Sequence, residues 1–149
     1  MTEQRSRVEA GDRGLLMVLV AYSLMLGWIL LWPSGEPATA TVEHVHRVVL
    51  ALGFSEGLIT GGRVEFALNA LMVAPVPLLA TLLWPRWTWE RWTAYAFVVS
   101  GSVELVQGLL LQQRSAQFVD VVANTFGVLV GATMAQWIVS RRSHGPASA

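Results

Sequence analysis

The sequence has no cysteine and no lysine, and only 13% of its 149 residues are charged. Without cysteine there is no disulfide framework, no thiolate zinc site and no cysteine nucleophile. Arginine supplies all ten basic side chains, and ten acids match them to a formal net charge of zero. That balance, with no basic block, excludes a nucleic-acid footprint, because neutralising phosphates takes clustered cations. Soluble domains carry about a quarter charged residues. Here the deficit is filled by apolar residues, 54% of the chain, with a mean hydropathy of +0.51. The same richness excludes a disordered chain.

Most of the apolar content lies in four runs: Leu15–Trp32, Val64–Trp84, Trp92–Leu111 and Val121–Val139, of 18, 21, 20 and 19 residues. At the helical rise per residue each is roughly 27 to 31 Å long, which matches the hydrocarbon thickness of a bilayer. The sequence therefore predicts an all-α integral membrane protein, a single bundle of four transmembrane helices at about 15–32, 64–84, 92–111 and 119–139, with mobile polar tails at 1–13 and 140–149. Ala38-Thr39-Ala40 has the small-residue pattern of a signal-peptide cleavage site. The first run exceeds the usual signal core of about 7 to 15 residues, and its leader sets Glu3, Glu9 and Asp12 against Arg5, Arg7 and Arg13, so this helix is expected to remain in place.

Arginine placement predicts the orientation. With both termini in the cytoplasm, Arg5, Arg7, Arg13, Arg86, Arg91, Arg141 and Arg142 lie inside, and only Arg47, Arg63 and Arg114 lie outside. Trp28 and Trp32 then fall at the outer interface, and Trp84, Trp87, Trp89, Trp92 and Trp137 at the inner one, as an anchoring belt. The long outer connection between the first two spans places Val42, Val45, Val49 and Leu52 at helical spacing opposite Glu43, His44 and Arg47. A short amphipathic helix on the outer surface is expected there. His44 and His46 are read as solvated interfacial residues, and neither a metal nor a cofactor is expected.

Polar residues inside the spans are the candidates for function. Glu65 and Asn69, Glu104 and Gln107, and Asp120 and Asn124 each form an i, i+3 or i, i+4 pair, so each of three helices presents two polar groups on one face. Counted from the outer ends, Asn69 lies about 7 Å deep, Glu104 about 10 Å, and Gln107 and Asn124 about 6 Å. An acid near a helix centre opposes insertion by about 2.5 to 3.5 kcal/mol, so such residues persist where they face the bundle interior and find partners. Arg114 is the cation expected to join Glu104 and Asp120. Glu65, Glu104 and Asp120 outnumber it, and the excess is expected to be relieved by protonation of one carboxyl or by a cationic or donor-rich ligand. A plain interhelical network is the alternative reading. Gly127 and Gly131 share the face of Asp120 and Asn124 and predict a close helix approach. Pro75 and Pro77 remove two backbone donors and predict a bend below Asn69.

Glu104-Leu-Val-Gln107, then Arg114, Asp120, Asn124, Gly127 and Gly131, resembles the signature of the VanZ-like family of small bacterial membrane proteins. Upstream, Glu65, Asn69 and Pro75 match a further family segment, in which Val73 stands where the family often has Phe and Pro77 where it often has Gly. The resemblance spans about Arg63 to Gly131. It implies a multi-pass protein of the bacterial cytoplasmic membrane that lowers susceptibility to teicoplanin-type lipoglycopeptides.

Three functions are consistent with these residues. The first is a non-enzymatic protein whose outer polar cluster binds, or limits access to, an envelope component such as membrane lipid, a lipid-linked cell-wall precursor or a lipoglycopeptide. The second is a small enzyme on a lipid-linked or cell-wall substrate, with Glu104 as acid or base, Arg114 as anion clamp, and Asp120, Asn124 and Gln107 as orienting groups. No metal motif, Ser-His pairing or phosphate loop accompanies that set. The third is a bundle that serves only as an assembly partner.

Overall fold

The structure is a computed structural model that describes residues 2–30, 36–110 and 117–143, with six helices and no strand among them. In chain order they are α1 (Thr2–Leu30), α2 (Glu36–Ala51), α3 (Gly61–Val73), α4 (Pro75–Leu83), α5 (Trp89–Leu110) and α6 (Phe118–Ser143). Four stretches are long and apolar enough to cross a membrane: Gly11–Leu30, Gly61–Leu83, Trp89–Leu110 and Phe118–Arg142. Leu24, Trp28, Leu71, Val98, Leu109 and Leu110 are more than 60% exposed. Apolar surface on that scale is covered by lipid in a folded protein. The chain is a multi-pass membrane protein.

α6 is the hub. Its buried positions Val121, Ala123, Asn124, Val128, Ala132 and Ala135 recur every three or four residues, and it packs against α3, α4 and α5. Gly127 and Gly131 set how close α3 and α4 come. A Cβ at Gly127 would lie 2.8 Å from Ala70 Cα and closer still to the Ala70 carbonyl oxygen. One at Gly131 would overlap the Ala74 carbonyl and reach 3.0 Å from Pro77 Cγ. α3–α4 and α6 thus run parallel with their backbones in contact, which only glycine at these two positions permits.

The second span is interrupted at Ala74, which divides α3 from α4 while keeping helical dihedrals (φ −53°, ψ −36°). Pro75 and Pro77 cannot donate to the carbonyls four residues back, those of Leu71 and Val73. Between these two, the Met72 carbonyl accepts a 2.6 Å hydrogen bond from the Tyr22 hydroxyl of α1. A neighbouring helix thus satisfies backbone at the break, as the absence of water at membrane depth requires. Tyr22→Phe is expected to lower stability by about 0.5 to 1.5 kcal/mol without changing helix content. Denaturant titration in detergent, followed by circular dichroism, measures both.

Two boundaries differ from the sequence reading. α1 begins at Thr2, so the polar stretch before Leu15 continues the helix. Glu3 and Arg7, and Glu9 and Arg13, stand four apart with the acid first, a spacing that supports a solvated helix. α6 likewise runs on to Ser143, beyond the expected end at 139. The remainder of the expected C-terminal tail, 144–149, lies outside the described residues, as do Trp32 and Leu111.

The connection between the first two spans contains α2, which packs against α3. Gly53, at φ 94°, ends it in the left-handed conformation that favours glycine. His46 Nε2 lies 2.9 Å from the Ile59 carbonyl oxygen and ties α2 to the return segment. Thr60 then caps α3, its hydroxyl accepting from the Arg63 N–H at 3.4 Å.

Candidate functional site

One end of the bundle gathers the C-terminal ends of α1 and α5 and the N-terminal ends of α3 and α6. Three of the polar residues singled out from the sequence are buried there: Glu104 is 8%, Gln107 4% and Asn124 7% exposed. α5 reaches this end with an inverted pattern. Its buried residues are Ser100, Glu104 and Gln107, whereas Phe97, Val98, Val99, Leu105, Val106 and Leu109 are exposed. A soluble helix buries its apolar stripe. This one turns its apolar stripe to lipid and its polar stripe to α6.

Glu104 and Gln107, and the half-buried Asn69 and Asp120, meet defined partners. Glu104 Oε2 accepts the backbone N–H of Gln117 at 2.8 Å, and Gln117 immediately precedes α6. The carboxylate thereby holds one of the donors that a helix start leaves unpaired, where the helix dipole also favours negative charge. Asn69 Nδ2 donates to Asp120 Oδ1 at 2.8 Å, joining α3 to the first turn of α6. Gln107 Nε2 donates to the Leu30 carbonyl at the last residue of α1. Four spans are therefore tied at one end through three hydrogen bonds that use four polar side chains of the set.

Asn124 lies one turn from Asp120, between the Asn69 bridge and the Gly127 contact. Its Oδ1 is buried and has no hydrogen-bond partner among the described residues. Glu65, one turn from Asn69, is half-buried. Pro75 and Pro77 take no part in the cluster; Pro77 is fully buried beside Gly131. Arg114, the expected cation, lies outside the described residues.

The sequence reading missed Ser100, one turn before Glu104 on the same face, although extending the polar spacing backwards would have found it. It also missed the backbone partners, the Gln117 N–H and the Leu30 carbonyl, because main-chain groups leave no mark in a residue pattern. Among the described residues no three His, Cys, Asp or Glu side chains are placed to hold a metal. The arrangement offers carboxylate and amide groups, which suit the recognition of polar groups at the edge of a membrane.

A model of the VanZ/LLP1 family matches residues 19–139. The chain belongs to the VanZ/LLP1 family. The match reaches into all four spans of this VanZ-like protein, including the later part of the first helix and the long connection, for which the motifs gave no indication. No curated protein and no solved structure matches it.

Proposed function

We propose that this VanZ-like protein resides in the bacterial cytoplasmic membrane with both termini in the cytoplasm, and that its polar cluster binds an envelope component at the outer face, lowering susceptibility to teicoplanin-type lipoglycopeptides. The observation that carries the reading is the convergence of Glu104, Gln107, Asn69 and Asp120 at the end of the bundle away from Arg86, Arg91, Arg141 and Arg142. The positive-inside rule puts the arginine-rich end in the cytoplasm, so the cluster opens outward. In that orientation α2 lies on the outer surface, and the exposed Leu52, Phe54 and Leu58 dip into the headgroup region. Family membership supports the link to the antibiotic.

The orientation has its own test. The protein has no native cysteine, so a single cysteine at Ser55 is expected to react with an impermeant maleimide added to intact cells, and one at Thr88 only after lysis. The opposite pattern would move the cluster to the cytoplasmic side. For function, a susceptible bacterium expressing the protein is compared with one expressing Glu104→Gln or Arg114→Ala, using surface-bound fluorescent teicoplanin and growth inhibition. Wild type is expected to change both readouts and the variants to lose the effect. If wild type changes neither, the antibiotic reading is wrong. If the variants stay folded and fully active, the cluster serves assembly alone.

A further inference from the structure

The opposite end of the bundle has a different chemistry. α6 ends in Trp137, Ile138, Arg141 and Arg142, which line a shallow groove of about 580 Å³. Trp137 and Arg141 are one turn apart, as are Ile138 and Arg142, so an indole and an aliphatic side chain form the deeper level and two guanidinium groups the shallower one. The Arg141 guanidinium lies 5.1 Å from the centre of the Trp137 ring, a cation-π contact that restricts the side chain and leaves its N–H donors unused. Neither arginine forms an ion pair among the described residues.

The surroundings add to the imbalance. Arg86 and Arg91 flank the start of α5, and Arg13 lies near the start of the first span, against Asp12 and Glu90. Gln136 Nε2 donates to the Trp87 carbonyl at 3.4 Å and fixes α6 beside the turn before α5. Trp87 packs on Trp92 and Tyr95, with ring centres 4.9 and 5.5 Å apart, at the same end of the bundle as the groove. Anchoring alone needs indoles at the interface and explains neither the pairing of both arginines with a groove nor their lack of counter-ions.

We infer that this groove is a binding site for an anionic phospholipid, with the phosphate between Arg141 and Arg142 and an acyl chain along Trp137 and Ile138. Charge complementarity selects the occupant: two guanidinium groups with no ion pair among the described residues, above an apolar floor, fit a negative headgroup attached to a hydrocarbon chain. The site is separate from the outward polar cluster and does not depend on that cluster's function.

The test uses the purified full-length protein in nanodiscs of mixed phosphatidylglycerol and phosphatidylcholine, followed by native mass spectrometry of the lipids retained. Wild type is expected to retain phosphatidylglycerol above its share of the mixture. Arg141→Gln combined with Arg142→Gln is expected to lower that enrichment by roughly 25-fold, since each basic side chain near an anionic leaflet contributes about a fivefold preference. Trp137→Leu keeps every charge, and so the orientation, and is expected to reduce retention severalfold. Equal retention of the two lipids by wild type overturns the site, as does wild-type enrichment in both variants. Displacement of the lipid by millimolar inorganic phosphate would mark a simple anion site and equally overturn the lipid assignment.

Discussion

Gly131→Val is expected to lower the stability of the bundle by about 3 kcal/mol, at the upper end of what overpacking a core costs. The reason is the identity of the neighbour. The added side chain would meet the Ala74 carbonyl, a backbone atom at the interruption between α3 and α4, and the ring of the fully buried Pro77. A flexible side chain could swing away, but here two helices must separate. Separation would also strip contacts from Ala132 and Ala135, both fully buried on α6. Gly101→Ala is the matched control, because nothing lies within 4 Å of its added Cβ. It is expected to be neutral or to stabilise the helix by up to about 1 kcal/mol. Thermal unfolding of both variants in the same detergent reads the contrast, and similar losses in the two would refute close contact at Gly131.

Glu104→Ala is expected to cost about 2 to 4 kcal/mol and to loosen the start of α6, whereas Glu104→Gln is expected to keep most of the stability. The carboxylate oxygen is the acceptor for the Gln117 N–H, so alanine leaves a buried donor unsatisfied at a helix start. Glutamine retains an acceptor oxygen of the same reach but no charge. The pair separates the structural role of this residue, which depends on the acceptor, from the proposed ligand binding, which depends on the charge. Hydrogen exchange at residues 117–121 measures the first, and the antibiotic readout the second. Equal protection of these amides in Glu104→Ala and wild type would remove Glu104 from its structural role.

The spans were legible because apolar length is a local property of sequence, and the polar pairs were legible because helical spacing puts them on one face. Partner choice was not. The Asn69 amide that meets Asp120 and the backbone N–H that meets Glu104 were not foreseen, and the arginine expected beside both acids lies outside the described residues. Tyr22 read as one more apolar residue, since the carbonyl it meets is 50 residues away in the chain. The prolines themselves did reveal the interruption, at which Ala74 keeps helical dihedrals. The helical start at Thr2 was missed because charge was read as a sign of a mobile tail, when acid-first i, i+4 pairs also stabilise a solvated helix.

The inverted burial of α5 has a consequence for how the protein is made. While α5 stands without α6, Ser100 and Glu104 lack the helix they are buried against, and one donor to Glu104 belongs to Gln117, a residue synthesised later. α5 and α6 are consecutive, so the insertion machinery receives them as a hairpin whose second member supplies the hydrogen bond the first lacks. Stable residence of α5 in lipid is thereby tied to the emergence of α6, and a ribosome stalled between them would leave a segment prone to slip back out of the membrane.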